Sequence, residues 1–336
     1  MTRVGIVGAT GYTAFELIKI LLRHPQAELT CVTSRENIGQ PLSRVHPQFL
    51  GQLDLQFEEF SAGVMASKSD FVFTCLPHGA SASSVMELRK QGLKVVDFSA
   101  DYRLASRDVY EDWYGIEHPD PEMLGSVPYG LPEFFRDEIA AADLVANPGC
   151  FPTSAILGLA PLLKNGLISP SGLIIDSKTG VSGAGRKPNL AFHFPECNES
   201  VLAYKVASHR HQPEIDDLLG RCSTAETACL FTPHLIPMDR GILSTLYAEK
   251  TGSMADTALM DCLKDFYRSS RFVRVVDELP STKAVSGTNF CDLTVRVSGN
   301  RVIVISCLDN LIKGASGAAV QNFNLMNGYD EACALL

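Results

Sequence analysis

The chain has 336 residues, a length that predicts two domains, each large enough to bury a core of its own. Hydrophobic residues make up 46% and charged residues 20%, which is typical of a globular protein. The net charge is −9 and no segment is rich in lysine or arginine, which argues against nucleic acid or an anionic membrane surface as the main partner.

The amino terminus begins with a strand-like pattern, MTRVGIVGAT, rather than with the features of a signal peptide. No apolar stretch approaches the roughly 20 residues that span a bilayer. The ten cysteines are scattered and form no CxxC pairs. The sequence therefore predicts a soluble cytoplasmic protein with reduced thiols.

The first part of the chain alternates short apolar runs with helix-like segments. These predict strands at 3–7, 28–33, 70–75, 93–98 and 143–146, and helices at 11–23 and 81–92. Strands that alternate with helices form a parallel sheet with right-handed crossovers. We therefore predict a Rossmann-type, doubly wound α/β domain over residues 1–148, with ligand chemistry at the carboxyl ends of its strands.

A glycine-rich turn follows the first predicted strand. The run GIVGATGYTA places Gly5, Gly8, Gly11 and Ala14 at intervals of three residues. Glycines allow a tight turn and close approach of a pyrophosphate, and the helix that follows offers free backbone N–H donors. Such turns also occur for packing alone, but this one opens a strand–helix series, which favours a dinucleotide site.

The end of the second predicted strand bears on the choice of nucleotide. NAD-binding folds usually place an acidic residue there, whereas this chain has Thr33, Ser34 and Arg35. Hydroxyls and a guanidinium suit a 2′-phosphate. Alternatively, Arg35 is a solvated surface charge that contacts no nucleotide. An acidic residue, Glu36, also follows directly after it. The pattern favours NADP(H).

Cys150, in NPGCFPT, follows the last strand of the first domain. Pro152 suits the first turn of a helix, so the thiol is expected at or just before a helix amino terminus. The helix dipole favours the reactive thiolate at that position. Cysteine is also a common buried residue, so position alone leaves both a nucleophile and a core thiol open.

After Cys150 the pattern changes. Helices are predicted at 152–164 and 256–268, and strands at 172–177, 227–232, 242–249, 291–297 and 301–308. Several strands follow one another without room for a crossover helix, and Ser298-Gly299-Asn300 is typical of a hairpin turn. We predict a second, α+β domain over 149–308 with a mixed, largely antiparallel sheet. Residues 309–336 are predicted to hold a C-terminal helix that returns to the first domain.

The segment SHRHQPEI offers an acid/base partner for a thiol. If the segment is extended, His209 and His211 share one face and Arg210 points to the other. A buried structural histidine and a two-histidine metal site are the alternatives. We disfavour the metal because HExxH spacing and a nearby cysteine pair are both missing from the sequence.

Basic residues also occur in short loops rich in glycine and serine. Each of them alone is typical of a solvated charge, but together they suit a pocket for a phosphorylated or carboxylated substrate. They are Arg103, Lys178, Arg186, Arg240 and Lys283.

A set of longer motifs occurs in order along the chain. They are GATGYTAFEL at 8–17, TSR at 33–35, LPHGAS at 76–81, DFSADYRL at 97–104, YGLPE at 129–133, NPGCFPTSAILGLAP at 147–161, KTGVSGAGR at 178–186, HRHQPEI at 209–215, PHLIPMDRGI at 233–242, TKAVSGTNFCD at 282–292 and DNLIKGASGAAVQN at 309–322. With these motifs the chain resembles, over essentially its whole length, the N-acetyl-gamma-glutamyl-phosphate reductases of arginine biosynthesis, relatives of aspartate-semialdehyde dehydrogenase. Ala14 and Ser154 depart from the family pattern, each by a small replacement.

The resemblance implies NADPH-dependent reductive dephosphorylation of N-acetyl-gamma-glutamyl phosphate to N-acetyl-L-glutamate 5-semialdehyde through a cysteine thioester. Cys150 is then the nucleophile and His209 the acid/base, with His211 as the alternative. Homo-oligomers, dimeric or tetrameric, are implied as well. Predicted cofactor-binding residues are Gly8, Thr10, Gly11, Tyr12, Thr13, Ala14, Ser34, Arg35, Pro77, Ser182, Gly183, Asn310, Lys313 and Gly314. Predicted substrate-binding residues are Arg103, Asn147, Arg186, His211 and Lys283.

Two other functions remain open from the sequence. A sibling reductase of a carrier-bound aminoadipyl or glutamyl phosphate, or of aspartyl phosphate, has the same chemistry and differs in its pocket loops. A dinucleotide-sensing regulatory protein needs only the glycine turn. Cys150, the HRH segment and the polar loops count against the regulatory protein.

Overall fold

The fold is described from a computed structural model, which covers residues 1–223, 226–253 and 255–336. The chain divides into two compact units. Unit 1 holds residues Met1–Pro148 and Ala315–Leu336, and unit 2 holds Gly149–Gly314. Each unit is described by itself below.

The strands are β1 (Thr2–Val7), β2 (Ala27–Thr33), β3 (Phe57–Glu58), β4 (Phe71–Thr74), β5 (Lys94–Asp97), β6 (Leu144–Ala146), β7 (Leu173–Thr179), β8 (Leu202–Ala203), β9 (Cys229–Leu235), β10 (Ile242–Glu249), β11 (Val273–Val275), β12 (Cys291–Ser298) and β13 (Arg301–Leu308). The α-helices are α1 (Tyr12–Leu21), α2 (Leu42–Val45), α3 (Ala62–Lys68), α4 (Ala82–Lys90), α5 (Arg107–Tyr114), α6 (Pro132–Ala141), α7 (Cys150–Lys164), α8 (Phe194–Cys197), α9 (His211–Cys222), α10 (Thr257–Phe266), α11 (Thr282–Val285) and α12 (Gly317–Met326).

Unit 1 is built on a parallel sheet. Within the described residues its strand order is β3-β2-β1-β4-β5-β6, and every pair of neighbours is parallel. The strands β1, β4 and β5 are almost entirely buried, which explains their continuous apolar sequences. This order is that of a doubly wound Rossmann sheet, so the predicted fold class is confirmed.

The carboxyl-terminal helix α12 packs in unit 1, against α1 and α6. Its amide side chains reach into the sheet layer: Asn322 donates to the carbonyl of Gly130 at 2.9 Å, and Asn324 bonds the ring of His24 at 2.8 Å. The change of unit occurs after Gly314 rather than at the predicted 308/309 boundary. Residues 309–314 therefore belong to unit 2, where the Asp309 carboxylate accepts a hydrogen bond from the N–H of Gly287.

Unit 2 contains a mixed sheet in the order β11-β12-β13-β10-β7-β9-β8 within the described residues. The pairs β12–β13, β13–β10, β10–β7 and β9–β8 are antiparallel, whereas β7–β9 and β11–β12 are parallel. The mixed, largely antiparallel sheet was therefore predicted correctly. In the β12–β13 hairpin, Ser298 pairs with Arg301, so the loop consists of Gly299 and Asn300 alone.

One face of this sheet carries helix α7. A buried chain of hydroxyls joins helix and sheet, because Ser154 of α7 lies 2.9 Å from Ser244 and 2.9 Å from Ser306, and Ser244 lies 2.7 Å from Ser177. All four side chains are fully buried. Ser154, the departure from the family pattern, thus has partners for its hydroxyl in the sheet beneath α7.

The opposite face of the sheet is partly open. Register places Leu230, Ile174, Tyr247 and Ile303 in one row across β9, β7, β10 and β13. Leu230 is 52% exposed and Ile174 is 37% exposed. An apolar row on a sheet face is typical of a surface that another protein covers.

Among the described helices, none is long and apolar enough to cross a membrane.

Candidate active site

Cys150 is the first residue of α7, and Gly149 caps the helix in an extended conformation. The side chain of Cys150 is half-buried. The first bond inside the helix runs from the N–H of Thr153 to the carbonyl of Gly149, and Pro152 has no N–H. The backbone N–H groups of the first turn and the helix dipole favour negative charge at this end, and so favour the thiolate of Cys150.

Glu214 holds the residue that precedes Cys150. Its Oε1 accepts a hydrogen bond from the backbone N–H of Gly149 at 2.8 Å, and the side chain is 1% exposed. Glu214 lies in the first turn of α9, which packs against α7. A buried carboxylate bonded to a backbone N–H fixes the position of that backbone. The sequence analysis assigned no role to Glu214, although it lies three residues after His211 in a helix first turn.

Gly314 lies against Cys150 from another side. A Cβ added to Gly314 would be 2.8 Å from the Cβ of Cys150 and 3.2 Å from its Cα. Gly314 is part of a single π-helical turn, Ile312–Ser316, and its N–H donates to the carbonyl of Asp309 at 2.9 Å. Asp309 is fully buried, and its carboxylate pairs with Arg240 at 2.8 Å. This close approach requires glycine at position 314.

His209 and His211 lie together beside the start of α7. Their ring centroids are 4.8 Å apart, and Phe151 is 5.7 Å from His209 and 5.8 Å from His211. The segment is not extended, so the condition for a shared strand face is not met: Arg210 has helical backbone angles and α9 starts at His211. The two rings meet because the chain turns, not because they share a strand face.

A backbone bond sets the protonation pattern of His209. The N–H of His211 donates to Nδ1 of His209 at 3.1 Å. A nitrogen that accepts a hydrogen bond carries no hydrogen, so the neutral ring holds its hydrogen on Nε2. Nε2 is therefore the donor that His209 can offer to a ligand.

Tyr204 lies beside His209, in a part of the chain where no sequence motif points to a role. Its ring lies edge-to-face with that of His209 at 5.5 Å. Burial, and secondarily the charge of Cys150, raise the pKa of Tyr204 well above its ordinary value. The phenol of Tyr204 therefore stays protonated. The only signal in the sequence is an aromatic residue five positions before His209, which is too weak to assign a role.

The other cysteines differ from Cys150 in their surroundings. Burial raises the pKa of Cys31 and Cys307 to about 12 and that of Cys222 to about 11, and it also raises the pKa of Cys229. Protonated, buried thiols are poor nucleophiles. No cysteine among the described residues forms a disulfide.

The glycine-rich turn of unit 1 has the geometry that a pyrophosphate needs. Gly8 has φ +81°, and a Cβ there would lie 2.9 Å from the carbonyl oxygen of Cys75. Gly11 caps α1, so the amino end of that helix follows the turn directly. Position 8 therefore excludes any side chain, and Gly8 lines a cavity beside the turn, which fits a dinucleotide. Thr10, Tyr12, Thr13 and Ala14 belong to the same turn and helix start, and Pro77 lies after β4.

A cavity of ≈ 340 Å³ opens beside this turn, and Gly8, Ser34 and Arg35 are among the residues that line it. The Ser34 hydroxyl accepts the N–H groups of Glu36 and Asn37, each at 3.3 Å, which orders the loop after β2. Arg35 is exposed, and no carboxylate of the described chain forms an ion pair with it. A guanidinium without an ion pair beside a nucleotide cavity suits a 2′-phosphate.

Five predicted cofactor residues lie in unit 2. Asn310 donates to the hydroxyl of Ser182 at 3.1 Å and accepts the N–H of Gly241 at 2.6 Å, and Gly183 adjoins Ser182. Lys313 is fully buried, with its ammonium 5.9 Å from the ring centroid of Phe272. The structure thus brings Asn310, Ser182 and Gly183 together. Lys313 is an interior side chain, and Gly314 lies beside Cys150.

The predicted substrate-binding residues are divided between the two units, with Arg103 and Asn147 in unit 1 and Arg186, His211 and Lys283 in unit 2. Arg103 is 5% exposed and donates to the carbonyls of Asn147 and Phe98, both at 2.7 Å. Asn147 is buried and bonds within unit 1, with its Nδ2 3.0 Å from the carbonyl of Ala315. Arg186 and Lys283 are exposed residues of unit 2. His211 is the one that lies beside His209.

Comparisons with known proteins agree with this geometry. Two family models match: "Semialdehyde dehydrogenase, NAD binding domain" over residues 3–142 and "Semialdehyde dehydrogenase, dimerisation domain" over residues 150–310. The chain is 54% identical to a protein of Rhodopirellula baltica, over 99% of this chain and 98% of that one. It is 49% identical to a protein of Desulforudis audaxviator, over 100% and 98%. Both relatives are named N-acetyl-gamma-glutamyl-phosphate reductase.

Solved structures show the same fold at low sequence identity. Aspartate semialdehyde dehydrogenase with NADP from Candida albicans superimposes with a TM-score of 0.75 at 16% identity, covering 97% of this chain and 99% of that one. Aspartate semialdehyde dehydrogenase II from Vibrio cholerae, complexed with ASA, gives 0.73 at 15% identity, with 98% of both chains covered.

The contact between Gly314 and Cys150 predicts a large effect of one methyl group. Gly314→Ala should lower kcat by about 100-fold, because displacing a nucleophile by an ångström costs that much. Steady-state turnover and alkylation of Cys150 measure the effect. Gly63→Ala is the control, since a Cβ at that helical glycine meets only Ser61 Oγ at 4.0 Å. Unchanged turnover of Gly314→Ala would show that the contact has no role in aiming the thiol.

Proposed function

Because the chain belongs to the N-acetyl-gamma-glutamyl-phosphate reductase family of the semialdehyde dehydrogenases, we propose that it reduces N-acetyl-gamma-glutamyl phosphate to N-acetyl-L-glutamate 5-semialdehyde with NADPH, a step of arginine biosynthesis. The observation that carries the proposal is Cys150 at the start of α7 with His209 and His211 beside that turn. We place this activity in the cytoplasm, where the thiols stay reduced.

Cys150 carries the acyl group in the proposed reaction. Its thiolate attacks the acyl carbon, the bond to phosphate breaks, and a thioester forms as phosphate leaves. NADPH, when bound, supplies the hydride that reduces the thioester carbonyl. The resulting alkoxide collapses to the aldehyde and returns the thiolate to Cys150, so the enzyme ends each cycle unchanged.

His209 and the first turn of α7 stabilise the oxygen that becomes negative in both steps. The Nε2–H of His209 donates to this oxygen, and the N–H of Phe151 at the helix start adds a second donor. Donors of this kind contribute about 3 kcal/mol to the transition state. If His209 takes up a second proton as an acid/base, its Nδ1 must first release the N–H of His211. His211 is the alternative acid/base and a proposed substrate contact.

The cofactor proposal rests on unit 1. Gly8 and Gly11 present the backbone of the turn to the pyrophosphate, and Ser34 with Arg35 faces the 2′-phosphate of NADP(H). Ser182, Gly183 and Asn310 are further proposed contacts from unit 2. Arg186 and Lys283 are proposed to attract the acidic substrate, since both are exposed cations in loops. Arg103 and Asn147 are proposed to support the site through backbone bonds.

A homo-oligomer, dimeric or tetrameric, is proposed as the working form. The family model over residues 150–310 is described as a dimerisation domain. The apolar row of Leu230, Ile174, Tyr247 and Ile303 supplies a sheet face that a second copy would cover.

The reaction is tested in reverse. The purified protein should reduce NADP when given N-acetylglutamate semialdehyde and phosphate, and Cys150→Ser should lower kcat by at least about 1,000-fold because a hydroxyl is far less nucleophilic. NADPH absorbance measures both. Cys197→Ser, at a half-buried cysteine of α8, is the control. Retained turnover in Cys150→Ser would show that Cys150 is not the nucleophile. Turnover with aspartate semialdehyde but not with N-acetylglutamate semialdehyde would show that the protein is a sibling reductase.

Arg35 should decide the choice of nucleotide. Arg35→Ala should raise the KM for NADPH by about 10- to 100-fold, the worth of a charge-assisted bond, and leave the KM for NADH within about twofold. Arg23→Ala, at an exposed arginine after α1, is the matched control. Equal losses with both nucleotides would contradict a 2′-phosphate contact.

The oligomer proposal predicts a mass in solution that is a multiple of the chain mass. Leu230→Asp should shift the protein toward the monomer, because it buries a charge in the apolar row. Light scattering after size exclusion gives the mass. Leu279→Asp, at a loop leucine that is 68% exposed, should leave the mass unchanged. A monomeric wild-type protein would refute the proposal.

A further inference from the structure

Asp309 is a buried aspartate of unit 2 that is linked to Cys150 through a single residue. It follows the last residue of β13, and its side chain is fully buried. Its backbone carbonyl accepts the N–H of Gly314 at 2.9 Å, and Gly314 lies against the Cα and Cβ of Cys150. A carboxylate is seldom fully buried unless its oxygens are paired, so the partners of Asp309 show what it holds in place.

One carboxylate oxygen of Asp309 organises the turn that carries Gly314. Its Oδ1 accepts the N–H of Leu311 at 2.9 Å and that of Ile312 at 3.2 Å. An aspartate that accepts backbone N–H groups two and three residues later fixes the start of a turn, as at the first residue of a helix. The path of residues 311–314 therefore depends on this oxygen.

The other oxygen holds this turn to two loops of the same unit. Oδ2 accepts the N–H of Gly287 at 2.6 Å and lies 2.8 Å from Nε of Arg240. Gly287 precedes β12, and Arg240 lies between β9 and β10. Arg240 is one of the basic residues predicted for a substrate pocket, and here its guanidinium faces a carboxylate of its own chain.

The next residue, Asn310, ties the same region a second time. Its Oδ1 accepts the N–H of Gly241 at 2.6 Å, and its Nδ2 donates to the hydroxyl of Ser182 at 3.1 Å. Two adjacent side chains thus fix the end of β13 to the loop between β9 and β10. With the turn held from both sides, Gly314 has a fixed position relative to Cys150.

We propose that Asp309 is a positioning residue of the active site. Its two carboxylate oxygens clamp the turn of residues 311–314 to the loops of Gly287 and Arg240, and the clamped turn seats Gly314 on Cys150, which limits the directions open to the sulfur. Asp309 touches no reacting atom and transfers no proton in this role. The assignment rests on the proposed function only in taking Cys150 as the nucleophile.

Asp309→Asn tests the clamp with almost no change in size. An amide has one oxygen, so it can accept N–H groups on one side of the clamp only, and its NH2 group meets donors on the other side. The turn should loosen, and kcat should fall about tenfold, less than the roughly 100-fold that a displacement of an ångström costs. If Asp309→Asn does not fold, Asp309→Ser replaces it, because a hydroxyl also serves one side only and brings no amide N–H near Arg240.

A double variant separates positioning from a general structural role. A methyl group at position 314 is harmful only while the clamp holds that residue against Cys150. Gly314→Ala should therefore lower kcat by about 100-fold in the wild-type background and by no more than about tenfold in the Asp309→Asn background, because residues that act as a unit are not additive. An equal loss in both backgrounds would overturn the assignment, and so would the absence of any loss in the wild-type background.

Asp292→Asn is the matched control. Asp292 is a buried aspartate of β12 in the same unit, and its carboxylate accepts two hydrogen bonds from Arg274, at 2.6 and 2.8 Å. In this variant kcat should stay within about twofold, and Gly314→Ala should still cost about 100-fold. A smaller cost would count against the clamp, since the loss of any buried aspartate would then relax the site. Thermal unfolding of each variant checks that the fold is retained.

Alkylation of Cys150 by iodoacetamide repeats the cycle without substrate, with mass spectrometry as the readout. Gly314→Ala should change the alkylation rate in the wild-type background and change it less after Asp309→Asn. If this loss of coupling is found in a protein that does not act on N-acetylglutamate semialdehyde, the substrate is wrong and the role of Asp309 stands. If the wild-type protein is active and both cycles are additive, the function stands and the role of Asp309 is wrong.

Discussion

The hydrogen bond from the Gly149 N–H to the buried Glu214 carboxylate determines where helix α7 begins. It fixes the backbone one residue before Cys150, and Gly314 closes on the same residue with no room for a methyl group. Cys150, the proposed nucleophile, is therefore positioned by its main chain rather than by its own flexible side chain. Because α9 supplies Glu214 and begins at His211, one helix start both holds Gly149 and places the histidine pair beside α7.

The buried hydroxyls beneath α7 also fix the position of this helix on the sheet. Ser154, one turn after Cys150, is tied to Ser244 and Ser306 in a fully buried set of hydroxyls. A buried hydroxyl without a partner costs about 1–3 kcal/mol, so these groups stabilise one register of the helix on the sheet and penalise others. The helix cannot slide or rotate without breaking several bonds at once.

The sequence predicted the elements with strong periodicity and the chemistry with strong local motifs. The buried parallel strands, the β12–β13 hairpin and the Gly8 turn depend on local patterns, so they were found. The conformation of the HRH segment was left open, because helical backbone at Arg210 depends on where α9 docks, which no local pattern contains.

The proposed use of Cys150 as a thiolate sets a requirement for the other nine cysteines, which must stay unreactive. The fold meets it with burial, since the pKa of Cys31 and Cys307 is raised to about 12 and these thiols stay protonated. Cys150 has the same side chain but lies half-buried at the amino end of α7. The cost of a negative charge therefore keeps the buried thiols protonated, whereas the amino end of α7 is a place that favours the charged form of a thiol.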